Sequence, residues 1–511
     1  MTNISIIIPV TIIGYLIMMI VIGILYSKKN QNVSDFYLGG RKLGPLVTAM
    51  SAEASDMSSW LLMGLPGVAY LTGSAEAGWT AIGLAVGTYL NWLFVAKRLR
   101  VYSQKVGAIT VPDFFANRYH DKNKILMGVA ALIILIFFVP YTASGFSACG
   151  KLFSTIFGWE YHTAMIISAV VIIAYTCSGG FLAASFTDLI QSIVMTAALV
   201  SIIVFGVSKA GGMGAVLDNA QAIPGYFSLT SIHDPETGGA NPYNFLTIIS
   251  TLAWGLGYFG MPHIILRFMA IEDKNKVKTS RRIASVWVVI SMTVAIFIGF
   301  IGNLLSKQGT LEQLADPERI IIKTALYMSE HGIFLAIIAG LVFAGILACT
   351  MSTSDSQLLA ASSSMSENIL KGLFNLNLNE KQSMLCARGV LTVIAVLGVL
   401  LAWDPDSSVF DVVSFAWAGF GATFGPVMLT ALFWKRSNKA GAIAGMIAGG
   451  IMVFAWKYGI AQLGGIFAIY ELLPAFVTAL IAIVIVSLAT AEPEKEIIEE
   501  FDAVVSEVHS A

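Results

Sequence analysis

The chain has 511 residues, of which 57% are hydrophobic and 12% charged, with a net charge of −1 and a mean hydropathy of +0.78. The charged fraction is about half that of an ordinary soluble protein, so the composition excludes a soluble fold and favours helices in lipid. The charge does not indicate nucleic acid as a partner, and Cys149, Cys177, Cys349 and Cys386 lack the spacing of a metal site or a disulfide framework.

Apolar runs long enough to cross a membrane recur along the whole chain and predict an all-α integral membrane protein of about thirteen helices. The first run begins almost at Met1 without a basic region or a cleavage site, so we predict a retained helix and not a signal peptide. The runs lie at 5–27, 43–72, 76–96, 125–150, 160–178, 186–208, 243–266, 283–305, 332–370, 387–403, 408–434, 440–456 and 467–490.

Basic residues in the joints predict the orientation, because Lys and Arg are retained on the cytoplasmic side of a membrane. Alternate joints hold 24 basic residues on one side, among them Lys28, Lys29 and the group at 267–282, and 6 on the other. We therefore predict an external N-terminus and a cytoplasmic C-terminus, with the acidic end of the chain in solvent. Short loops without a signal peptide suit a prokaryotic inner membrane.

Four carboxylates stand out inside the apolar runs: Glu53, Asp56, Asp188 and Asp355. An acidic group in the middle of a lipid-embedded helix costs roughly 2.5–3.5 kcal/mol, so the polar segment 51–60 is predicted to open the second helix. Glu53 either couples to an ion or hydrogen-bonds freed backbone amides. Asp188 either serves an ion or caps the sixth helix. Asp355 likewise has either an ion-binding or a structural role.

A second break, with three glycines and a proline at 253–262, follows five spans later. Interrupted helices at corresponding positions of two five-helix halves predict an inverted-repeat transporter with its site between them. The predicted regions are 1–42 with one extra helix, a first repeat at 43–208, an external loop at 209–242, a second repeat at 243–434, two peripheral helices at 435–490 and an acidic tail at 491–511.

Hydroxyl residues cluster at 352–356 and 362–364 in the ninth run. Hydroxyl and carbonyl oxygens suit a hard cation such as sodium. The same residues also allow close helix packing in membranes, and this alternative stays open.

Several ordered motifs, at 39–45, 55–67, 178–191, 254–263 and 351–353, resemble those of the sodium:solute symporter family, and within it the sodium/proline symporters. The resemblance covers nearly the whole chain. It implies a LeuT-like core of five plus five inverted-repeat helices, and import of a small amino acid, most simply L-proline, coupled to sodium by alternating access. Another small organic solute, or a transporter-like receptor, remains an alternative.

The resemblance also implies roles for residues at the matching positions. Sodium would bind the carbonyl oxygens of Ala54, Met57 and Cys349 and the hydroxyls of Ser352 and Thr353. The substrate would contact Asp56, Ser59, Trp60, Tyr141, Trp254, Tyr258 and Pro262, with Asp56 also coupling ion to substrate, and Arg41 would be a gating residue.

Departures from the family pattern concern both substrate and ion. Proline members commonly have Gly at Ser59 and Gln at Met261. Asp188 is associated in some members with a second sodium ion. The extra carboxylates Glu53 and Asp355, together with Asp188 and Ser356, predict a possible second cation or a proton. We expect contacts with membrane lipid, no obligate protein partner and no enzymatic activity, because no catalytic set or phosphate loop is present.

Overall fold

The computed structural model describes residues 4–27 and 33–510, so Lys28 and Lys29, which entered the predicted orientation, lie outside the described residues. Regular structure in the described part is helical apart from one hairpin. The first ten helices are α1 (Ile4–Ser27), α2 (Val33–Leu38), α3 (Pro45–Asp56), α4 (Leu65–Thr72), α5 (Ser74–Leu90), α6 (Lys97–Lys105), α7 (Val111–Arg118), α8 (Ile125–Phe157), α9 (Tyr161–Lys209) and α10 (Met213–Ala222).

The hairpin pairs β1 (Ser231–His233) with β2 (Ala240–Pro242) in antiparallel register. It lies with α10 in the segment predicted as an external loop. The remaining helices are α11 (Phe245–Leu252), α12 (Pro262–Ala270), α13 (Val277–Lys307), α14 (Ile320–Ser329), α15 (Ile333–Ser363), α16 (Glu380–Leu401), α17 (Val409–Phe433), α18 (Lys439–Tyr458), α19 (Leu472–Ala489) and α20 (Lys495–His509).

Ten helices of the described chain are long and apolar enough to cross a membrane, or eleven if the pair Phe245–Phe259 and Pro262–Ala270, bent by 45°, is one span. Two shorter apolar helices, Trp60–Thr72 and Tyr161–Ala174, lie within two further predicted runs. The helical multi-pass membrane fold is therefore confirmed, whereas the count of thirteen stays a prediction.

A kink at Gly180 divides α9 into two apolar stretches. Its φ of 70° lies in the left-handed region, which glycine adopts without steric cost. The part from 180 to 209 is long enough to be a span of its own.

Helix α15 lies at the centre of the bundle. It packs against α1, α8 and α9, and it also contacts α3 and α12, which in turn contact each other. All its residues from 342 to 363 are buried, including every hydroxyl predicted to bind an ion. The candidate site is therefore enclosed by α3, α9, α12 and α15.

The acidic end of the chain folds into α20, so the expectation of a simply solvated tail is wrong for residues 495–509. Ile497, Phe501 and Val504 form a buried stripe along this helix. The Phe501 ring packs on Tyr102 of α6 and lies 5.3 Å from the guanidinium of Arg118. Apolar burial thus holds the tail against α6 and α7.

Basic residues from two separate joints also hold α20. Lys97 donates to the carbonyl oxygen of Val508 at 2.9 Å, and Lys274 donates to that of Glu507 at 3.0 Å. These contacts fix the end of the helix to residues that were predicted to lie in cytoplasmic joints.

Candidate ion and solute site

The first interrupted helix opens after Asp56, within the segment predicted to do so. Met57 leaves the helical conformation, with φ −75° and ψ 70°, and the helix resumes as one π turn at Trp60–Gly64 before α4. Ser58 bridges the opening, because its N–H donates to the Asp56 carbonyl at 2.8 Å and its hydroxyl accepts from the Trp60 N–H at 3.2 Å. Local hydrogen bonds therefore replace the lost helical ones.

Oxygens predicted to bind sodium lie next to this opening. The Ser352 hydroxyl donates to the Ala54 carbonyl oxygen at 2.7 Å and lies 3.1 Å from that of Cys349. Thr353 is buried, and its hydroxyl has no hydrogen-bond partner within the described chain. Met57 is 1% exposed at the opening itself. These neutral oxygens, one of them unsatisfied, fit a hard monovalent cation.

Asp56 joins three elements beside these oxygens. Its carboxylate accepts a hydrogen bond from the Tyr258 hydroxyl, and its carbonyl oxygen accepts a longer one, 3.4 Å, from Tyr141 of α8. Ser59 and Trp60 are buried, and the Ser59 hydroxyl and the Trp60 indole N–H have no partner among the described residues. Unsatisfied buried donors are expected where a polar ligand binds.

Aromatic rings enclose the same region. Trp60 and Trp254 lie 5.5 Å apart, and Phe410 of α17 packs against both, at 5.9 and 5.4 Å. Tyr470 stacks on Trp254 at 5.3 Å. The sequence predicted the two tryptophans, but it gave no indication of Phe410 or Tyr470, which come from distant parts of the chain.

The second interrupted helix continues α11 as a 3-10 stretch, Ala253–Phe259, and restarts at Pro262. Its freed carbonyl oxygens are bound from outside: Trp417 donates to Trp254 at 2.7 Å, and Asn91 donates to Tyr258 at 2.9 Å. Neither donor was predicted, because no sequence spacing connects them to the break.

A glycine is required in this stretch by packing. A Cβ atom on Gly257 would lie 1.9 Å from the indole nitrogen of Trp417. The glycine therefore admits the tryptophan that binds the freed carbonyl oxygen.

Asp188 lies inside α9, so the alternative of a helix cap is wrong. Its Oδ2 accepts from Ser51 at 2.6 Å, from Ser55 at 3.2 Å and from the Arg267 guanidinium at 3.1 Å. Ser356 joins this cluster through Ser55, at 2.9 Å. Arg267 was counted with a cytoplasmic joint. That assignment is wrong, because it lies within α12 and is fully buried.

The other two carboxylates, Asp355 and Glu53, form hydrogen bonds outside this cluster. Asp355 accepts a hydrogen bond from Thr176 of α9. Glu53 accepts from the Trp92 indole at 3.1 Å through Oε1, whereas Oε2 has no partner in the part of the chain described. The bonded oxygen of Glu53 thus contacts a side chain and not the freed backbone amide considered above.

Arg41 holds three segments together on one side of the bundle. Its guanidinium donates to the carbonyl oxygens of Ser103 at 3.1 Å, Ala108 at 2.6 Å and Met269 at 2.6 Å. Burial lowers the pKa of Arg41 to about 10, so this residue stays charged at neutral pH. It ties the joint before α3 to the α6–α7 joint and to the end of α12.

Comparison with known proteins identifies the family. Residues 36–449 match the sodium:solute symporter family. The chain belongs to this family. It is 44% identical over 503 residues to the sodium/proline symporter of Haemophilus influenzae, covering 96% of each chain. It is 41% identical to the high-affinity proline transporter PutP of Bacillus subtilis, covering 95% of this chain and 98% of that one.

A solved relative confirms the fold of this family member. The substrate-bound, outward-open structure of a Na+-coupled sialic acid symporter superimposes with a TM-score of 0.78 at 20% identity, covering 96% of this chain and 99% of that one. The predicted LeuT-like fold is therefore confirmed. Membership of the sodium:solute symporter family makes the protein a transporter and not an enzyme.

Proposed function

We propose that the protein imports L-proline together with sodium by alternating access. The proposal rests on one observation. The candidate ion ligands at Ala54 and Ser352 and the aromatic enclosure that contains Trp60 adjoin each other through Asp56. Two relatives above 40% identity are named for proline. Another small organic solute is the alternative within the same class.

Sodium would link the opened first helix to α15. The carbonyl oxygens of Ala54 and Cys349 already meet the Ser352 hydroxyl, and the ion would satisfy the free hydroxyl of Thr353. The carbonyl oxygen of Met57 would complete the set. Sodium would then favour the conformation in which α3 and α15 are joined.

Proline has an apolar ring and two charged groups, and the enclosure offers partners for each. The faces of Trp60, Trp254 and Tyr258 would hold the ring and favour the ammonium group. Asp56, Ser59, Tyr141 and Pro262 would bound the polar side. Arg41 would release its carbonyl partners when its own side of the bundle opens.

The regions predicted from the sequence supply the two repeats and the orientation that this mechanism requires. We place the first repeat at 43–208 and the second at 243–434, with the N-terminus outside and the C-terminus inside a prokaryotic inner membrane. One sodium ion moving down a tenfold gradient and about 100 mV releases roughly 3.7 kcal/mol, enough for several-hundred-fold accumulation of solute.

Uptake of labelled proline into proteoliposomes tests the proposal. We expect uptake only with an inward sodium gradient. Ser352→Ala and Thr353→Ala should raise the sodium concentration for half-maximal uptake about tenfold, because each removes an oxygen ligand. Ser363→Ala is the matched control, since this hydroxyl bonds only within α15 in the described structure, to Ala360.

Three results would contradict parts of the proposal. Uptake that ignores the sodium gradient would remove the coupling. Proline that binds without accumulating would favour a receptor. Proline that neither binds nor moves would exclude it as substrate, and a competition series of small amino and organic acids would follow.

A further inference from the structure

Arg267 and Asp188 form an ion pair in the interior of the bundle. The guanidinium Nη2 lies 3.1 Å from the Asp188 carboxylate, and the two side chains are 1% and 0% exposed. Nη1 donates to the His263 carbonyl oxygen at 2.8 Å, Nε donates to Ser51 at 3.0 Å, and Nη2 also donates to Ser356. Each guanidinium nitrogen therefore has a partner.

The groups around the guanidinium are those that would bind a small hard cation. Ser51 and Ser356 present hydroxyl oxygens beside the carboxylate of Asp188, and Ser55 bonds to both Asp188 and Ser356. Carboxylate and hydroxyl oxygens are hard ligands. The second oxygen of Asp188, Oδ1, is buried without a hydrogen-bond partner in the described residues.

This cluster is one helical turn from the candidate sodium ligands. Ser356 donates to the carbonyl oxygen of Ser352 at 2.9 Å, and Ser55 directly follows Ala54. Ser51 lies on the first interrupted helix and Arg267 on the second. The pair thus joins both interrupted helices beside the ion that the proposed function requires.

We propose that the guanidinium of Arg267 acts as a fixed cation supplied by the protein itself. Its guanidinium takes the place beside Asp188 that a second transported cation would otherwise occupy, so that Asp188 is neutralised without one. The inference rests on sodium coupling at the neighbouring site. It assigns Arg267 as a positioning residue that sets how many sodium ions the cycle requires.

Asp355 offers a competing location for a second cation. It precedes Ser356 on α15, but its hydrogen bond goes to Thr176 and not to the arginine cluster. A second ion held there would make Arg267 irrelevant to the sodium count. Asp355→Asn is therefore part of the test.

The central experiment compares the sodium dependence of proline uptake in the wild type and Arg267→Gln. We expect a Hill coefficient of about 1 in the wild type and about 2 in Arg267→Gln, because Asp188 then recruits sodium. Arg267→Lys should keep the wild-type coefficient, since it retains the charge. The double variant Arg267→Gln/Asp188→Asn should also keep it, since residue 188 then carries no charge to recruit a cation.

A second measurement does not depend on transport. The melting temperature of purified protein is recorded against sodium chloride, with choline chloride at equal ionic strength as reference. Arg267→Gln should gain additional sodium stabilisation over the wild type, because a further bound ion stabilises the folded state. Arg282→Gln is the matched control, because Arg282 is exposed on α13.

Several outcomes would overturn the inference. One is an Arg267→Gln protein that is folded and shows the wild-type coefficient and sodium stabilisation. Another is a wild type that moves two sodium ions per proline in dual-label flux, whether or not Asp355→Asn reduces this to one. If Arg267→Gln does not fold, the double variant decides: one ion per proline supports the inference, and two ions refute it. Failure of proline uptake in the wild type would instead refute the proposed function and leave the melting measurement as the test.

Discussion

In the first interrupted helix, hydroxyl groups meet the freed carbonyl oxygens, whereas in the second, indole and amide N–H groups do. Ser352 donates to Ala54 at the first break. Trp417 donates to Trp254 at the second. The two breaks occupy corresponding positions in the predicted repeats, yet they satisfy their backbone by different chemistry.

The difference has a functional meaning. A hydroxyl oxygen can accept a cation through its lone pairs, whereas an indole or amide N–H can only donate. In the proposed cycle, the first break would therefore exchange hydrogen bonds for an ion. The second break cannot make this exchange, because its partners are N–H donors, and these bonds hold its aromatic side chains in place. Substitutions at the first break should alter sodium dependence, and those at the second should mainly alter the maximal rate.

The largest effect is expected from Asp56→Asn at the first break. The Tyr258 hydroxyl would lose a charged acceptor, and hydrogen bonds to charged groups contribute about 1.5–3 kcal/mol, so sodium-driven uptake should fall about 100-fold. Initial rates in proteoliposomes measure this. Asp406→Asn, in the joint before α17, should keep the wild-type rate, and an equal loss in both variants would remove the special role of Asp56.

Gly257→Ala should have the next largest effect. The added Cβ meets the Trp417 indole, and overpacking of this kind costs about 1–3 kcal/mol, so maximal uptake should fall about tenfold and the melting temperature should drop. The sodium concentration for half-maximal uptake should not change. Gly214→Ala in α10 is the control, because no atom of the described residues outside its own stretch of helix lies within 4 Å of its added Cβ. A large change in sodium dependence would contradict the proposed difference between the two interrupted helices.

Trp417→Phe tests the same difference between the two interrupted helices with a smaller structural change. The aromatic ring is largely kept, but the Trp254 carbonyl loses its donor, so uptake should fall about fivefold at unchanged sodium dependence. Trp456→Phe removes a similar indole bond, to Ile469, on the peripheral helix α18 and should leave uptake unaltered. Equal effects in the two variants would show that the bond matters only for general packing.

Tyr141→Phe should have the smallest effect. Its hydrogen bond to the Asp56 carbonyl is long, at 3.4 Å, and such bonds are weak, so uptake should fall about twofold. Apparent proline affinity, measured by competition, should be nearly unchanged because the ring remains. A loss as large as that of Asp56→Asn would mean that Tyr141 binds the substrate through its hydroxyl.

Sequence reasoning found both breaks because acidic and glycine-rich segments conflict with a continuous helix in lipid. It also brought Ala54 and Ser352 together through the family motifs. It missed Arg267, because a basic residue five positions after Pro262 looks like the flank of a span. Only the packing of α12 against α3 and α15 shows that this charge is interior. Trp417 was missed because nothing in an apolar helix marks one aromatic residue as a donor to a distant carbonyl group.

The docking of α20 affects how the orientation of the chain should be probed. Lys97 and Lys274 help to define the predicted cytoplasmic side, and both also hold the last helix through its carbonyl oxygens. Reversing either charge would disturb membrane insertion and the anchoring of α20 together, so the two causes would be confounded. Lys105 and Arg282 are exposed on the same side in the predicted orientation. They are the better positions for charge-reversal mapping of topology.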